Sequence, residues 1–484
     1  MNRSTVWPFT LALGLLALPF ALAACGGGGG GSPAPSEAAI RTLAYVVTND
    51  TCIVDRAEAV LRQELRIRQA DRQPVTALQF PPIGPLPDAL GLCSLLGRLR
   101  IGEVGVAAGV FQRLGVSRDG STVVFEVADD FSLFRRFGAG SLVSEDQKGM
   151  FLVHADGSGL QRLGDASQDA CFRVVADFTS PVGFRASFNT QINFSPNGRA
   201  IVFSDRGPDP EGEDAVQVVT VDVVTGKRTQ VTHLPPAPGL DPAAIPIGPL
   251  FFLDDETIVF ATNNPDGSFT YFLVKADGSD LPQELKVIAP PGGHIVEIPE
   301  ITGEEPAAAG VQVPGVPVNG PGAIFEAFVF DRDQALQLTN FRRVDTANAR
   351  LSADKQRVFF VASADPFREN PFENCQIFSI DRLATDLRQL THFGEGEHSR
   401  DGCSAVLPPG CRMYGLGVDS VTATVLFYTS CNLSGTQSNG GQIFAMRPDG
   451  TGLRALTDTR GFVTEADGTR TVELAGPWAS TVRR

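Results

Sequence analysis

The chain has 484 residues and a formal net charge of −15, with 55 acidic and 40 basic residues. An acidic chain without a basic cluster argues against nucleic-acid binding and against electrostatic docking on anionic lipid. The part that follows the apolar N-terminus, about 450 residues, exceeds the common size of a domain but not that of a repeat architecture.

Residues 1–24 are predicted to be a bacterial lipoprotein signal peptide. The apolar run FTLALGLLALPFALAAC follows Arg3 and ends in LAAC, which matches the lipobox, where the cysteine is lipidated after cleavage. We therefore predict Cys25 as the lipidation site and the lipid as the only attachment to a membrane. The alternatives are an ordinary signal peptide cut near the same alanines and an uncleaved anchor, for which the segment is short.

Residues 25–40 carry the lipidated cysteine and a flexible tether. The sequence GGGGGGSPAPSE is first glycine-rich and then proline-rich, a composition that does not pack against a folded body. The residue after Cys25 is Gly26 and not aspartate. In bacteria with two membranes, this resembles the pattern of lipoproteins that go to the outer membrane. We predict an outer-membrane lipoprotein of the cell envelope, facing either the periplasm or the cell surface.

Two phrases alternate along the rest of the chain. One contains an Asp-Gly turn, as in HADGSGLQRL, KADGSDLPQEL and RPDGTGLRALT; the other places a polar turn before a β-branched strand, as in VSRDGSTVVFEV, FSPNGRAIVFSD and LSADKQRVFFVA. Each phrase predicts a β-hairpin, because a polar turn separates two apolar runs. Two hairpins make one four-stranded unit, which must stack on others to bury its faces.

The phrases FSPNGRAIVFSD, DGTGLRALT and LRQLTHF resemble the TolB-type (WD40-like) propeller repeat. The Leu-Thr pairs that end the repeat are Leu338-Thr339, Leu390-Thr391 and Leu456-Thr457, with Val231-Thr232 as a variant. The resemblance implies an all-β fold, a single β-propeller over residues 41–478. It carries no catalytic residue, and the envelope assembly to which TolB belongs implies a binding function only by analogy.

The repeat predicts seven four-stranded blades, with six or eight as alternatives. The turns of the second hairpins are predicted near Asp71, Gly157, Gly226, Gly278, Asp333, Ala384 and Gly450. The first unit lacks an inner strand, and the segment TRTVELAG near the C-terminus could supply it. The fifth unit is poorly marked, because HIVEIPEITGEEPAAAGVQVPGVPV predicts only a weak hairpin.

Long connections separate the hairpins at 126–149, 164–191, 234–250, 290–321 and 394–417. In a four-stranded meander both hairpin turns lie at one end of the blade, and the other connections lie at the opposite end. We therefore expect nearly all irregular sequence on one face of the disc, where binding loops usually reside.

Seven cysteines besides the lipidation site lie in or beside these connections: Cys52, Cys93, Cys171, Cys375, Cys403, Cys411 and Cys431. Because an exported chain can form disulfides, we predict three bridges and one remaining thiol, with connectivity open. A metal or redox site is the alternative, but the chain has no Cys-x-x-Cys spacing.

Aromatic side chains in two connections are the predicted binding residues. The stretch FSLFRRFG and the equivalent PFRENPFENC supply them: Phe131, Phe134, Arg135, Arg136, Phe137, Phe367 and Phe372. Aromatic residues and arginine are frequent interface anchors, so we predict an envelope protein or peptide as partner. The alternative is that the phenylalanines only fix the loops to the disc.

No catalytic residue, metal ligand or cofactor is predicted. His392 and His398, with the acids between and beyond them, are the best local candidate for an acid-base or metal site, but we interpret the segment as a solvated loop. The segment DRGPDPEGED is expected to be an exposed acidic loop, and no Gly-x-Ser-x-Gly motif of a hydrolase occurs. The predicted function is a lipid-anchored binding module; the alternative is a metal-dependent lyase or hydrolase acting on saccharide at the central channel.

Overall fold

A computed structural model of the protein describes residues 40–53, 58–70, 72–87, 111–128, 143–168, 172–176, 184–188, 192–237, 239, 246–265, 268–287, 290, 292–295, 306–318, 322–331, 334–344, 346–393, 413–419, 422–429 and 442–481. These residues form 33 β-strands in eight antiparallel sheets. Seven of the sheets are the blades of a β-propeller, which confirms the predicted fold class and blade number.

Blade 1 is wider than the four strands predicted for it. Its strands from the N-terminal part of the chain are β1 (Thr42–Ile53), β2 (Glu58–Leu61), β3 (Gln63–Gln69), β4 (Val75–Gln79) and β5 (Ile83–Pro87). β1 pairs with β3, and β3 pairs with β4, as a blade requires. The far end of the long β1 also pairs with β2, which in turn pairs with β5.

Blades 2 to 7 each contain four strands that pair in chain order. Blade 2 comprises β6 (Phe111–Val116), β7 (Thr122–Val127), β8 (Gly149–His154) and β9 (Gln161–Gly164). A separate hairpin of β10 (Phe172–Ala176) and β11 (Phe184–Phe188) follows it. Blade 3 comprises β12 (Asn193–Phe194), β13 (Ala200–Pro208), β14 (Asp214–Asp222) and β15 (Arg228–Gln230).

The later blades repeat this order. Blade 4 comprises β16 (Ile247–Phe252), β17 (Thr257–Asn263), β18 (Phe269–Lys275) and β19 (Gln283–Leu285). Blade 5 comprises β20 (His294–Ile295), β21 (Ala307–Val313), β22 (Ile324–Asp331) and β23 (Gln334–Gln337). Blade 6 comprises β24 (Ala347–Leu351), β25 (Arg357–Ala362), β26 (Gln376–Asp381) and β27 (Arg388–Gln389). Blade 7 comprises β28 (Met413–Val418), β29 (Val425–Thr429), β30 (Gln442–Met446) and β31 (Arg454–Ala455).

The last strands, β32 (Gly461–Thr464) and β33 (Arg470–Ser480), close the ring. β33 pairs with β1 along its length, and Trp478 lies opposite Tyr45 in a core shared with blade 7. Arg68 adds a second link, because its Nη1 donates to the carbonyl oxygen of Leu456, 2.7 Å away. The predicted closure of the first blade by the C-terminal segment is confirmed.

All seven predicted second-hairpin turns fall at positions between the third and fourth strands of their blades, and two of these positions, 71 and 333, lie outside the described residues. Two segments that were predicted to be irregular connections contain β-strands. The segment 164–191 contains the β10–β11 hairpin, and the segment 290–321 contains β20 and β21, the first hairpin of blade 5. β20 has only two residues, which is too short to show the alternation of apolar and polar residues that predicts a strand.

We call the end of the propeller that carries the hairpin turns the hairpin-turn face, and the opposite end the loop face. The loop face carries the connections between blades and those between second and third strands. The fourth strands of blades 2 to 7 have only two to four residues, which leaves short free edges. The residues that the structure describes contain no helix with the length and apolar character that crossing a bilayer requires.

The repeated Asp-Gly turn brings each hairpin close to the preceding blade. A Cβ on Gly450 would lie 2.9 Å from the carbonyl oxygen of Leu390, and one on Gly278 would lie 3.1 Å from the carbonyl oxygen of Gln230. Both glycines also have positive φ, which other residues rarely adopt. Asp449 fixes its turn by accepting hydrogen bonds from the backbone nitrogen and the hydroxyl of Thr451. The repetition is therefore explained by packing between blades.

The repeated Leu-Thr pair fastens the fourth strand to the third. Leu390 is buried, and the hydroxyl of Thr391 donates to Oε1 of Gln376 at 2.8 Å while accepting from the backbone nitrogen of Ile377. The same arrangement joins Thr232 with Gln217 and Val218, and Thr339 with Glu326 and Ala327.

Blade 5 differs from its neighbours in having a carboxylate at this position, which gives a prediction about pH. Burial raises the pKa of Glu326 above its usual 4.5, although hydrogen bonds from Thr339, Arg342 and Phe341 act in the opposite direction. A raised carboxyl pKa means that this group's contribution to stability is lost as the pH rises above about 4.5. Glu326→Gln, which cannot titrate, should therefore gain stability relative to the parent between pH 4.5 and 7, measured by urea unfolding.

Gln376→Glu is the matched control for this prediction. In the parent, Nε2 of Gln376 donates to the carbonyl oxygen of Phe393 at 3.2 Å, so a carboxylate there would face an acceptor. This variant should lose stability relative to the parent over the same pH range. A stability difference that stays constant with pH in the Glu326→Gln variant would contradict the raised pKa.

Candidate functional site

Only two of the predicted binding residues lie within the described part of the chain. Phe367 and Phe372 are in the connection between β25 and β26 on the loop face, and their side chains are 42% and 43% exposed. The other five fall at positions 131–137, outside the described residues. Blade 6 therefore carries the predicted binding residues that the structure describes.

Asn370 holds the loop that carries the two phenylalanines. It is almost fully buried, and its backbone nitrogen donates to Asp365 at 2.8 Å. Its side-chain amide donates to the carbonyl oxygens of Ala364 and Asn374 and accepts from the backbone nitrogen of Asn374. Asn374 in turn donates to the carbonyl oxygen of Phe393, in the next connection. Such a hydrogen-bonded loop presents exposed side chains with little ordering cost on binding.

Blade 5 places two more exposed apolar side chains on the same face. Val316 and Val318, between β21 and β22, are 73% and 58% exposed. The backbone nitrogen of Val318 donates to the carbonyl oxygen of Arg342 at 2.8 Å, and Nη2 of Arg342 donates to that of Val316 at 3.1 Å. Sequence reasoning missed these valines, because the pattern GVQVPGVPV gives no sign of which residues face solvent.

An ion pair joins the two blades at this point. The guanidinium of Arg343 contacts both carboxylate oxygens of Glu373, with distances of 2.9 and 3.0 Å. A bidentate geometry of this kind fixes direction as well as distance. We call Val316, Val318, Phe367 and Phe372 the loop-face patch.

A histidine and a glutamate lie beside the loop-face patch. Nδ1 of His392 is 3.6 Å from a carboxylate oxygen of Glu369 and 3.3 Å from Nε2 of Gln389, and both members of the pair are exposed. His398 and the acids around it lie outside the described residues. Within the described part of the chain, no three His, Cys, Asp or Glu side chains are placed to hold a metal ion.

A fully buried ion pair lies in the core between blades 2 and 3. Arg113 and Glu126 are on neighbouring strands, with Nε of the arginine 3.6 Å from Oε2 of the glutamate. Arg113 also donates to the carbonyl oxygen of Ser204 at 2.7 Å, and Glu126 accepts from the backbone nitrogen of Ser167. Burial raises the pKa of Glu126, and the Arg113 charge opposes that shift. The pair fastens blade 2 to blade 3.

A second charged pair continues this arrangement toward the surface. Asp205 pairs with Arg228 and also accepts from the backbone nitrogen of Gln168. The guanidinium carbons of Arg113 and Arg228 lie 5.8 and 5.7 Å from the centroid of the Phe203 ring, within cation–π range. Phe203, Asp205 and Arg228 line a cleft of about 440 Å3.

The prediction of an exposed acidic loop at residues 205–214 was wrong for two of its acids. Asp205 is buried by the contacts just described, and Asp209 is buried at the start of a turn. Asp209 accepts hydrogen bonds from the backbone nitrogens of Glu211 and Glu213, both at 2.8 Å. These acids stabilise the backbone of blade 3.

One predicted disulfide cysteine is described together with its side chain. Cys375 is fully buried at the end of the blade 6 loop and is disulfide-bonded. Cys52 lies within β1, a position that the prediction of loop cysteines did not foresee. The remaining cysteines, including the lipidation site Cys25, lie outside the described residues, so lipidation and disulfide connectivity stay predictions.

No family model and no curated protein matches the chain. Similar solved structures include an acylaminoacyl peptidase from Pyrococcus horikoshii, with 9% identity and a TM-score of 0.46 over 87% of this chain and 51% of that one. The propeller domain of the Trilobed protease from Pyrococcus furiosus has 11% identity and a TM-score of 0.41 over 77% and 95%. A putative TolB from Agrobacterium tumefaciens has 10% identity and a TM-score of 0.33 over 90% and 99%.

This chain spans about half the length of the Pyrococcus horikoshii peptidase. At these identities the similarities concern the propeller fold alone.

Proposed function

We propose that this protein is a lipid-anchored β-propeller of the cell envelope that binds a protein or peptide through its loop face. The observation that carries the proposal is the loop-face patch, four exposed apolar side chains on two adjacent blades. Attachment through lipid on Cys25 and the outer-membrane location follow from the lipobox and the tether. Both remain part of the proposal.

Three features of the loop-face patch support a binding surface. Its phenylalanines lie on a loop whose backbone is held by the buried Asn370. Its valines are tied to Arg342, next to the arginine that pairs with blade 6. Aromatic side chains in such a setting are frequent anchors of protein interfaces.

The first test is cross-linking in intact cells, followed by capture of the full-length chain and identification of the bound protein. Replacing Phe367 and Phe372 together with alanine should reduce capture of that protein about tenfold, the effect of losing roughly 1.4 kcal/mol of contact. A variant with Val316→Ser and Val318→Ser should also weaken capture.

Leu281→Ser is the control, because Leu281 is 85% exposed on the hairpin-turn face of blade 4. It should leave capture unchanged. Equal capture by the parent and by both double variants would show that the partner binds elsewhere.

A further inference from the structure

The hairpin-turn face has its own set of exposed apolar side chains. Each of the seven blades carries one large aliphatic residue, 39% to 85% exposed, in the turn between its third and fourth strands or in the fourth strand itself. In blade order they are Val75, Leu160, Val224, Leu281, Leu336, Leu383 and Leu453. They lie at the end of the disc opposite the loop-face patch.

Between blades 5 and 6 this face opens into a cleft of about 740 Å3. Leu336 of blade 5 and Leu383 of blade 6 both line it, and Leu383 is 77% exposed. The polar lining comes from three hairpin turns, which contribute Asp331, Asp354 and Asp381. The cleft therefore combines aliphatic side chains with carboxylates.

The two arginines of the cleft are already paired with carboxylates. Nη2 of Arg382 contacts Oδ2 of Asp331, across the boundary between the blades. Nη1 of Arg357 lies 2.7 Å from Oδ2 of Asp386. Because each arginine is neutralised by a carboxylate, the cleft has little positive charge with which to attract an acidic ligand.

The other two carboxylates have no salt bridge within the part of the chain that the structure describes. Asp354 accepts a hydrogen bond from the hydroxyl of Ser352 at 2.6 Å, and Asp381 accepts from the hydroxyl and from the backbone nitrogen of Thr385, the latter at 2.7 Å. These hydrogen bonds lower the pKa of both carboxyls, so both are charged at neutral pH. Each carboxylate is also held in position by its own turn.

We propose that this cleft binds an extended basic segment of a partner protein. An aliphatic side chain of that segment lies between Leu336 and Leu383, and flanking lysines or arginines pair with Asp354 and Asp381. Complementary charge selects basic segments and steers them toward an acidic protein. The site is distinct from the loop-face patch, so one protein can bind two partners on opposite faces.

The test uses two labelled peptides, one with lysines on both sides of a leucine and one with glutamates in the same places, titrated with the full chain by fluorescence anisotropy. The lysine peptide should bind, and its affinity should fall as NaCl rises, because exposed ion pairs are screened. The double variant Asp354→Asn and Asp381→Asn should bind it roughly tenfold more weakly. The Oδ1 of asparagine can still accept the backbone hydrogen bonds of both turns, from Gln356 and Thr385.

Asp277→Asn is the matched control, since Asp277 caps the equivalent turn of blade 4 through the backbone nitrogen of Ser279. It should bind the lysine peptide like the parent. Leu383→Ser should weaken binding, whereas Leu281→Ser should not.

Three outcomes would overturn the proposal: equal affinity for both peptides, equal loss in the Asp277→Asn control, or binding to zwitterionic lipid vesicles in place of the lysine peptide. The Asp354 and Asp381 substitutions should leave capture through the loop-face patch unchanged. Failure of one site is therefore distinguishable from failure of the other.

Discussion

Replacing Glu126 with leucine should destabilise the propeller by about 3–5 kcal/mol, the typical cost of leaving a buried charge without its counter-charge. Arg113, which faces this carboxylate, is fully buried on β6. The substitution also removes the acceptor of the Ser167 backbone nitrogen. The measurement is the free energy of unfolding in guanidinium chloride, compared with the parent at the same pH.

A double variant separates the charge effect from simple loss of packing. Replacing Arg113 with methionine together with Glu126→Leu removes both charges and keeps much of the apolar volume. It should recover about 2 kcal/mol or more of the stability lost in the single variant, an interaction energy within the usual range for residues in contact. If the double variant is as unstable as the sum of the two single variants, the ion pair does not explain the effect.

Replacing Trp478 with alanine should cost about 3–5 kcal/mol, the range for removing a large aromatic side chain from a core. Trp478 is 5% exposed and packs in the cluster that joins blade 7 to blade 1. It lies on β33, whose pairing with β1 closes the ring. The loss should appear as a lower midpoint of thermal and chemical unfolding.

Ending the chain after Arg460 should have a larger effect than the tryptophan substitution, because it removes β32 and β33 and leaves one edge of β1 unpaired. An expected sign is aggregation through that edge, measured by light scattering. Leu281→Ala, on the exposed hairpin-turn face, is the control and should change stability little. A truncated chain with the parent's melting behaviour would show that ring closure does not stabilise the fold.

Two of the four residues of the loop-face patch were predicted from the sequence. Phe367 and Phe372 stand out as aromatic residues in a long connection, and the structure leaves both exposed. Val316 and Val318, about fifty residues earlier, join them only through the contacts of Arg342 and Arg343. No local pattern encodes a contact between blades.

The sequence by itself determined the blades, because hairpins form from neighbouring residues and their turn signals are local. Asp-Gly turns, Leu-Thr pairs and alternating apolar runs located all seven second hairpins, and the segment TRTVELAG located the closing strand. The repeat that predicted the fold did not show how individual blades differ from one another. Glu326 occupies in blade 5 the position that Gln376 occupies in blade 6, and only the hydrogen bonds show their equivalence.

Only the tertiary structure decided which charged and apolar side chains are buried. The acids of DRGPDPEGED were predicted to form an exposed loop, yet Asp205 on β13 is buried and pairs with Arg228 on β15, two strands away in blade 3. Leu281 and Leu383 of the repeated turns face solvent on the hairpin-turn face, whereas the leucines of the Leu-Thr pairs, such as Leu390, are buried. Burial depends on how adjacent blades pack, and that packing joins residues far apart in the chain.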